Sequence, residues 1–454
     1  MEEMKFSQFD KYSRYLKGAA LLIALLTYWR FRDLELPAVY SYVAQGDVVR
    51  SALFKSVFLT HSIVWDFFGL IDRFVTPHSA DLLRASGLIL VILSLYLLSK
   101  LEDYILGQKF WGFLTIFLAA LSPFGVVSAV SGGPAAVSVA LTLLFLMALY
   151  RNQYIYAGIL AAVCSGANLP GLIMFLIAIL DLLQNFHEKN KMLSRLLATT
   201  TGFIAVLALL YVYSSYAGNA RLFSIPVGEQ DMSWSVVGTL PLFIVNSLNI
   251  VGIGYLLAKR RYDVYRTHFH TLMLWITSCA MCIAQPTTLN LFVAFVVSTV
   301  IAAFFLQGFN SLWKFRLASA ETFVFLFVVV SLFGDLYANN RFLSNKVLQD
   351  IYQEDEAVAD VIRSVAGSDG TALLMSNFVP AELSVKLGRQ VYAVDNELLA
   401  AGDLESTAPS TIYVAKRRSK QESPIAGCKS LLSTAYSESG NTFYVEVVQC
   451  GRKR

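Results

Sequence analysis

Apolar residues in this chain fall in long runs separated by short polar connections, and few of the runs alternate at the period of a strand. Runs of roughly 17–25 apolar residues match the length that crosses a hydrocarbon core about 30 Å thick. In lipid, backbone amides must be satisfied within each segment, so the runs predict helices. About eleven spans are expected by this measure: 16–30, 83–99, 109–122, 134–150, 154–167, 169–185, 196–213, 236–257, 268–284, 287–307 and 319–337. The pair 154–167 and 169–185 meets at Gly166-Ala167-Asn168-Leu169-Pro170, which permits a tight turn or a broken helix.

After residue 337 the pattern changes. Val358, Val361, Ile362 and Val365 recur at helical spacing, and four strand-like pieces follow: TALLMSNF, RQVYAVD, STIYVAKRR and NTFYVEVVQC. The expected fold is therefore an all-α polytopic membrane bundle over 1–337, with a first outer loop at 31–82, and a C-terminal extracytoplasmic α/β domain over 338–454. Composition agrees, with 56% hydrophobic and only 15% charged residues, against roughly 25% charged in soluble domains.

The net charge of +4 changes the picture by its distribution. Lys11, Arg14 and Lys17, Lys100 and Lys109, Arg151, Lys189, Lys191 and Arg195, the KRRYDVYR stretch, and Lys314 with Arg316 all fall on one side of the expected spans. The positive-inside bias makes that side cytoplasmic. It also places 31–82, 214–235 and 338–454 outside. Short basic connections of this kind set orientation and do not indicate nucleic acid. The basic N-terminal flank and apolar core precede no small-residue cleavage site, so they read as a retained first helix.

Five cysteines are present. Cys428 and Cys450 lie in the region expected outside the cytoplasm, where oxidation to a disulfide is permitted; two unrelated thiols are the alternative. Cys164, Cys279 and Cys282 lie in apolar spans, and Cys279-x-x-Cys282 reads as packing. No Gly-rich nucleotide cradle, zinc motif or serine-hydrolase elbow occurs.

The stretch THSIVWDFFGLIDRFVTPHSADLLRASGLILVILSLYLLSKL, followed by FLAALSPFGVVSAVSG, resembles the membrane glycosyltransferases of the GT-C superfamily, of the protein mannosyltransferase and aminoarabinose transferase type. His61 stands at the position of that group's loop histidine, although Ser62 and Ile63 replace its two prolines. Arg84 matches the arginine before the second span, and Leu121-Ser122-Pro123 matches the ending of the third. The resemblance implies transfer of a sugar from a polyprenyl-phosphate carrier to a lipid, glycan or protein acceptor at the outer face of a bacterial inner membrane. The family's adjacent acidic pair after the first span is missing, and Tyr40 and Ser41 stand where the acids are expected.

Three accounts of the catalytic acid stay open. Asp33 or Glu35 acts from a shifted position, Asp47 reaches in from farther along the loop, or the acid is lost and the chain is a non-catalytic partner. Each acid also has a bland role, at the interface for Asp33 and Glu35 and as a helix N-cap for Asp47. His61 would organise the first-loop site, with Asp66 one helical turn beyond it. Arg84, helped by Arg50 or Arg221, would hold donor phosphate; anchoring the helix to phosphate or to a loop acid is the alternative. The sequence QPTTLN at 285–290 either lines an acceptor cavity or closes a hydrogen-bonded helix turn.

No metal ligand set is legible, and relatives of this type differ in their need for a divalent cation. Partners expected are the polyprenyl-linked sugar, its acceptor, membrane lipid and, on the scaffolding reading, another membrane protein. A transporter, which paired broken helices at the midplane would favour, is a weaker alternative because the charges lie at interfaces.

Overall fold

A computed structural model of the chain describes residues 3–31, 81–106, 109–131, 135–167, 169–185, 189–216, 236–258, 267–312, 320–343, 357–365, 373–376, 383, 387, 391–393, 410–417, 428–438 and 441–451. Each apolar run expected from the sequence is helical. In chain order the helices are α1 (Glu3–Arg30), α2 (Asp81–Leu106), α3 (Lys109–Leu121), α4 (Pro123–Ser131), α5 (Ala135–Tyr150) and α6 (Tyr154–Gly166). There follow α7 (Gly171–Asn185), α8 (Lys189–Tyr216), α9 (Val236–Ala258), α10 (Phe269–Ala284), α11 (Thr288–Leu312) and α12 (Ala320–Ala338), which runs into a π-helical turn at Asn339–Leu343.

Among the described residues, four helices are by themselves long and apolar enough to cross a membrane: Ala85–Leu106, Met192–Val212, Val236–Tyr255 and Thr288–Phe305. A fifth arises if α3 and α4, bent 68° at their junction, form one span. The apolar helices Ala135–Tyr150, Tyr154–Gly166, Gly171–Gln184 and Phe269–Ala284 are shorter.

Burial separates centre from rim. Within α11, 94% of the most apolar window is buried, against 11% in α8. The core around α11 is built from Phe292, Phe295, Val297 and Val300, and Phe124 of α4 packs at a tilted angle on Phe295. Rim helices instead leave Leu197, Ile204, Leu209 and Val212 exposed, as lipid-facing positions should be.

Small residues set the closest crossings. A Cβ added to Gly158 of α6 would stand 2.5 Å from the backbone oxygen of Thr199 in α8, so these two backbones approach as only glycine allows. The break between α6 and α7 is a tight turn between two helices packed on each other. Amides of Ala167 and Leu169 both donate to the Cys164 carbonyl.

Opposite charges tie α1 to α2. Lys17 of α1 donates to both carboxylate oxygens of Asp103 in α2, each at 2.7 Å, and Gly112 of α3 abuts the same stretch, close to Ser99 and Asp103. Lys100 and Arg151 lie at this end of the bundle, over the rings of Tyr96 and Tyr104. It is called the basic end below.

Among the described residues, the C-terminal part holds a five-stranded sheet and a helix at 357–365. Its strands are β1 (Leu373–Ser376), β2 (Tyr392–Ala393), β3 (Ser410–Arg417), β4 (Cys428–Glu438) and β5 (Asn441–Gly451), in the order β2-β1-β3-β5-β4. β1 pairs in parallel with β2 and β3, while β5 runs antiparallel to β3 and β4. Val358 and Ile362 of the helix pack on Leu374, Ile412, Val414, Val445 and Val447, so the expected helical face and the expected β3 and β5 segments meet in one core. The strand β4 lies outside the four strand-like pieces read from the sequence.

Candidate functional site

Leu121-Ser122-Pro123 forms the 68° bend between α3 and α4, at the end of the bundle away from Lys17 and Asp103. Proline has no amide hydrogen, so the carbonyl four residues back would lose its helical donor. Here the Ser122 hydroxyl donates to the Ala119 carbonyl at 2.8 Å instead. The same oxygen accepts the Gly125 amide at 3.1 Å, which makes Ser122 the N-cap and Pro123 the first residue of α4. A Cβ at Gly125 would meet the Ala119 oxygen at 2.4 Å, so the turn needs glycine.

The bend is clamped from α12. Asn339, 3% exposed at the start of the π-helical turn, donates from Nδ2 to the Leu121 carbonyl at 2.7 Å across 218 positions of sequence. One turn earlier, Asp335 is fully buried, and among the described residues neither of its carboxylate oxygens has a hydrogen-bond partner. The Asn339 Oδ1 and the Ser128 and Ser331 hydroxyls are likewise unpartnered among the described residues. A π-helical turn beside a buried carboxylate in an apolar helix is a place where function is expected in a helical membrane protein. Replacing Asn339 with leucine orphans the Leu121 carbonyl, and we expect it to cost about 1–3 kcal/mol, read as a lower thermal midpoint in detergent. An unchanged midpoint would show that the bend holds without its clamp.

A second polar cluster closes the basic end. Asp181 of α7, 1% exposed, accepts from the Tyr154 hydroxyl at 3.0 Å and contacts His270 Nδ1 of α10 at 3.0 Å. His270 Nε2 is buried and has no partner among the described residues. Tyr150 sits edge-on to the His270 ring, and its hydroxyl joins His268 Nδ1 at 2.9 Å and Thr271 at 2.8 Å. The corner between α5 and α6 supplies Asn152, with φ of 55°, whose Oδ1 accepts from Tyr154 at 3.1 Å. Asparagine tolerates that left-handed backbone because its short polar side chain bonds locally.

Between the two ends, Asn246 of α9, Trp275 of α10 and Ser298 of α11 share hydrogen bonds of 2.8, 2.8 and 3.1 Å. Cys279 takes a contact from Asn246 and, like Cys282, packs against the bundle core. The 285–290 connection is a hydrogen-bonded cap: Thr287 Oγ1 accepts the Asn290 amide, and Asn290 Nδ2 donates to the Gln285 carbonyl. Asn290 also lines a narrow cleft with Thr142, Pro170, Met174, Thr277 and Ser278. Of the two alternatives posed for this stretch, the hydrogen-bonded helix turn is the one observed.

Of the residues singled out from sequence, Asp33, Glu35, Asp47, Arg50, His61, Asp66 and Arg221 lie outside the described residues. Arg84 is in the first turn of α2, with its side chain likewise outside them. The structure thus brings together the Leu-Ser-Pro run, Asp335 and Asn339, and does not describe the loop acids. Asp335 and Asp181 were missed as candidates, although each is a lone acid inside an apolar run, the signal that should have raised them. Among the described residues no group of three or more His, Cys, Asp or Glu side chains could hold a metal ion.

No family model matches the sequence, and no curated protein matches it. Among solved structures, the chain is similar to the crystal structure of ArnT from Cupriavidus metallidurans bound to undecaprenyl phosphate. The TM-score is 0.61 at 11% identity, over 94% of this chain and 97% of that one. At that identity the likeness is one of fold: the chain shares its overall architecture with that membrane protein.

Proposed function

We propose that this protein is a membrane glycosyltransferase moving a sugar from a polyprenyl-phosphate donor to a cell-envelope lipid, glycan or protein acceptor. The observation that supports this best is the likeness of fold, end to end, to a protein crystallised with undecaprenyl phosphate. In the bacterial inner membrane, the basic end would face the cytoplasm, and the bend at Leu121-Ser122-Pro123 and the C-terminal sheet would lie toward the outer side.

The acceptor oxygen attacks the anomeric carbon as the bond to phosphate breaks, and the polyprenyl phosphate leaves. A first-loop carboxylate, Asp33, Glu35 or Asp47, takes the acceptor's proton. Arg84, with Arg50 or Arg221, offsets the charge gathering on the departing phosphate, and His61 with Asp66 orders the loop. The site carboxylate and the lipid-bound donor meet at the interface, so positioning supplies much of the rate.

One sequence feature favours a second reading, a non-catalytic GT-C-like subunit that binds lipid-linked glycan: Tyr40 and Ser41 occupy the place of the family's acids. The deciding experiment is transfer of radiolabelled sugar from total polyprenyl-linked donors into envelope fractions. Membranes with the wild-type protein are compared with Asp33→Asn, Glu35→Gln and Asp47→Asn variants. Protein-dependent transfer that falls about 100-fold or more in one folded variant identifies the base. Transfer that survives all three removes these acids from the mechanism, and no protein-dependent transfer from a complete donor pool favours the non-catalytic subunit.

A further inference from the structure

The β4–β5 ladder sets Cys428 directly opposite Cys450. The ladder closes at Glu438 opposite Asn441, so the cysteine pair stands at the hairpin's open end. Residues opposite one another in an antiparallel ladder have Cα atoms about 4.5 or 5.5 Å apart and Cβ atoms on one face. A disulfide needs a Cα separation of about 4.4–6.8 Å. Position 450 has the parity of Glu446 and Val448, whereas Val445 and Val447 enter the core of the sheet and helix. Position 450 thus lies on the face opposite Val445 and Val447.

Two further features make this end of the sheet the one that needs a tie. Among the described residues β4 is an edge strand, paired only with β5, and its Lys429 and Ser430 are exposed. Its register shifts between Ser430 and Leu432, two residues from the pair, which interrupts the ladder where the strand begins. By contrast Cys164, Cys279 and Cys282 are free thiols packed in the helical bundle.

We propose that Cys428 and Cys450 form a cross-strand disulfide that fastens the edge strand of the C-terminal sheet. The inference rests on the outward placement of the sheet given above and is independent of sugar transfer. Both thiols lose a proton and together give up two electrons to a thiol oxidase of the extracytoplasmic space, whose own active disulfide is reduced to a dithiol.

The test counts thiols in the full-length protein. Membranes are denatured in detergent with a polyethylene-glycol maleimide, with and without prior reduction, and mass shifts are read on a gel. Three labels are expected before reduction and five after, from five cysteines of which three are in the bundle. A Cys428→Ser/Cys450→Ser variant should take three labels in both lanes. Five labels on the unreduced wild-type protein overturn the disulfide. A membrane-impermeant maleimide applied to intact cells carrying Cys428→Ser then tells why: labelling of Cys450 leaves the outward placement standing, and protection of Cys450 until the membrane is opened removes that placement as well.

Discussion

Replacing Asp181 with leucine is expected to lower stability by about 1.5–4.5 kcal/mol, combining about 1–3 for an orphaned buried imidazole with about 0.5–1.5 for the lost tyrosine bond. The carboxylate touches His270 Nδ1 and accepts from Tyr154, and leucine can do neither. Tyr154 keeps Asn152 as an acceptor, so the imidazole of His270, with its other nitrogen already unpartnered among the described residues, dominates the loss. Asp181→Asn retains one acceptor oxygen and should fall between. Pairing Asp181→Leu with His270→Leu should recover part of the deficit, because removing both buried partners costs less than removing one. Thermal unfolding in detergent reads all three, and a single variant as stable as the wild type would show that the cluster does not fasten the basic end.

The second large effect is expected at Gly158. Even alanine there places a carbon 2.5 Å from the Thr199 backbone oxygen, so α6 and α8 must separate. Overpacking of this kind costs about 1–3 kcal/mol, and Gly158→Leu should exceed Gly158→Ala. Gly254 of α9 is the control, since nothing lies within 4 Å of its added Cβ. Gly254→Ala should be neutral or stabilising by up to about 1 kcal/mol, because it removes unfolded-state freedom from a helix interior. Equal effects at the two glycines would mean that the α6–α8 crossing is looser than its geometry states.

What could be read beforehand follows from how local each signal is. The helices were legible because lipid-length apolar runs speak for themselves, and Val358 and Ile362 showed their buried face by spacing alone. Ser122-Pro123 is a local helix-start signal, whereas its clamp by Asn339 joins residues 218 positions apart and leaves no trace in either segment. Asp181 and His270 meet across 89 positions for the same reason. Strand β4 escaped because CKSLLSTAYSE lacks a clean apolar alternation, as a solvated edge strand can. The first-loop acids were named from resemblance, and they lie outside the described residues.

The short rim helix α7 has a consequence for the lipid around the protein. Its 15 residues rise about 22 Å at 1.5 Å each, yet Leu172, Ile173, Leu176, Leu180 and Leu183 are exposed along it. A hydrocarbon layer about 30 Å deep is too thick for that face. Acyl chains beside α7 must shorten or tilt, at a cost of fractions of a kcal/mol per Å of mismatch. With α7 set across the membrane, the lipid along that flank is expected to thin, and reconstitution into lipids of graded chain length should favour the shorter ones.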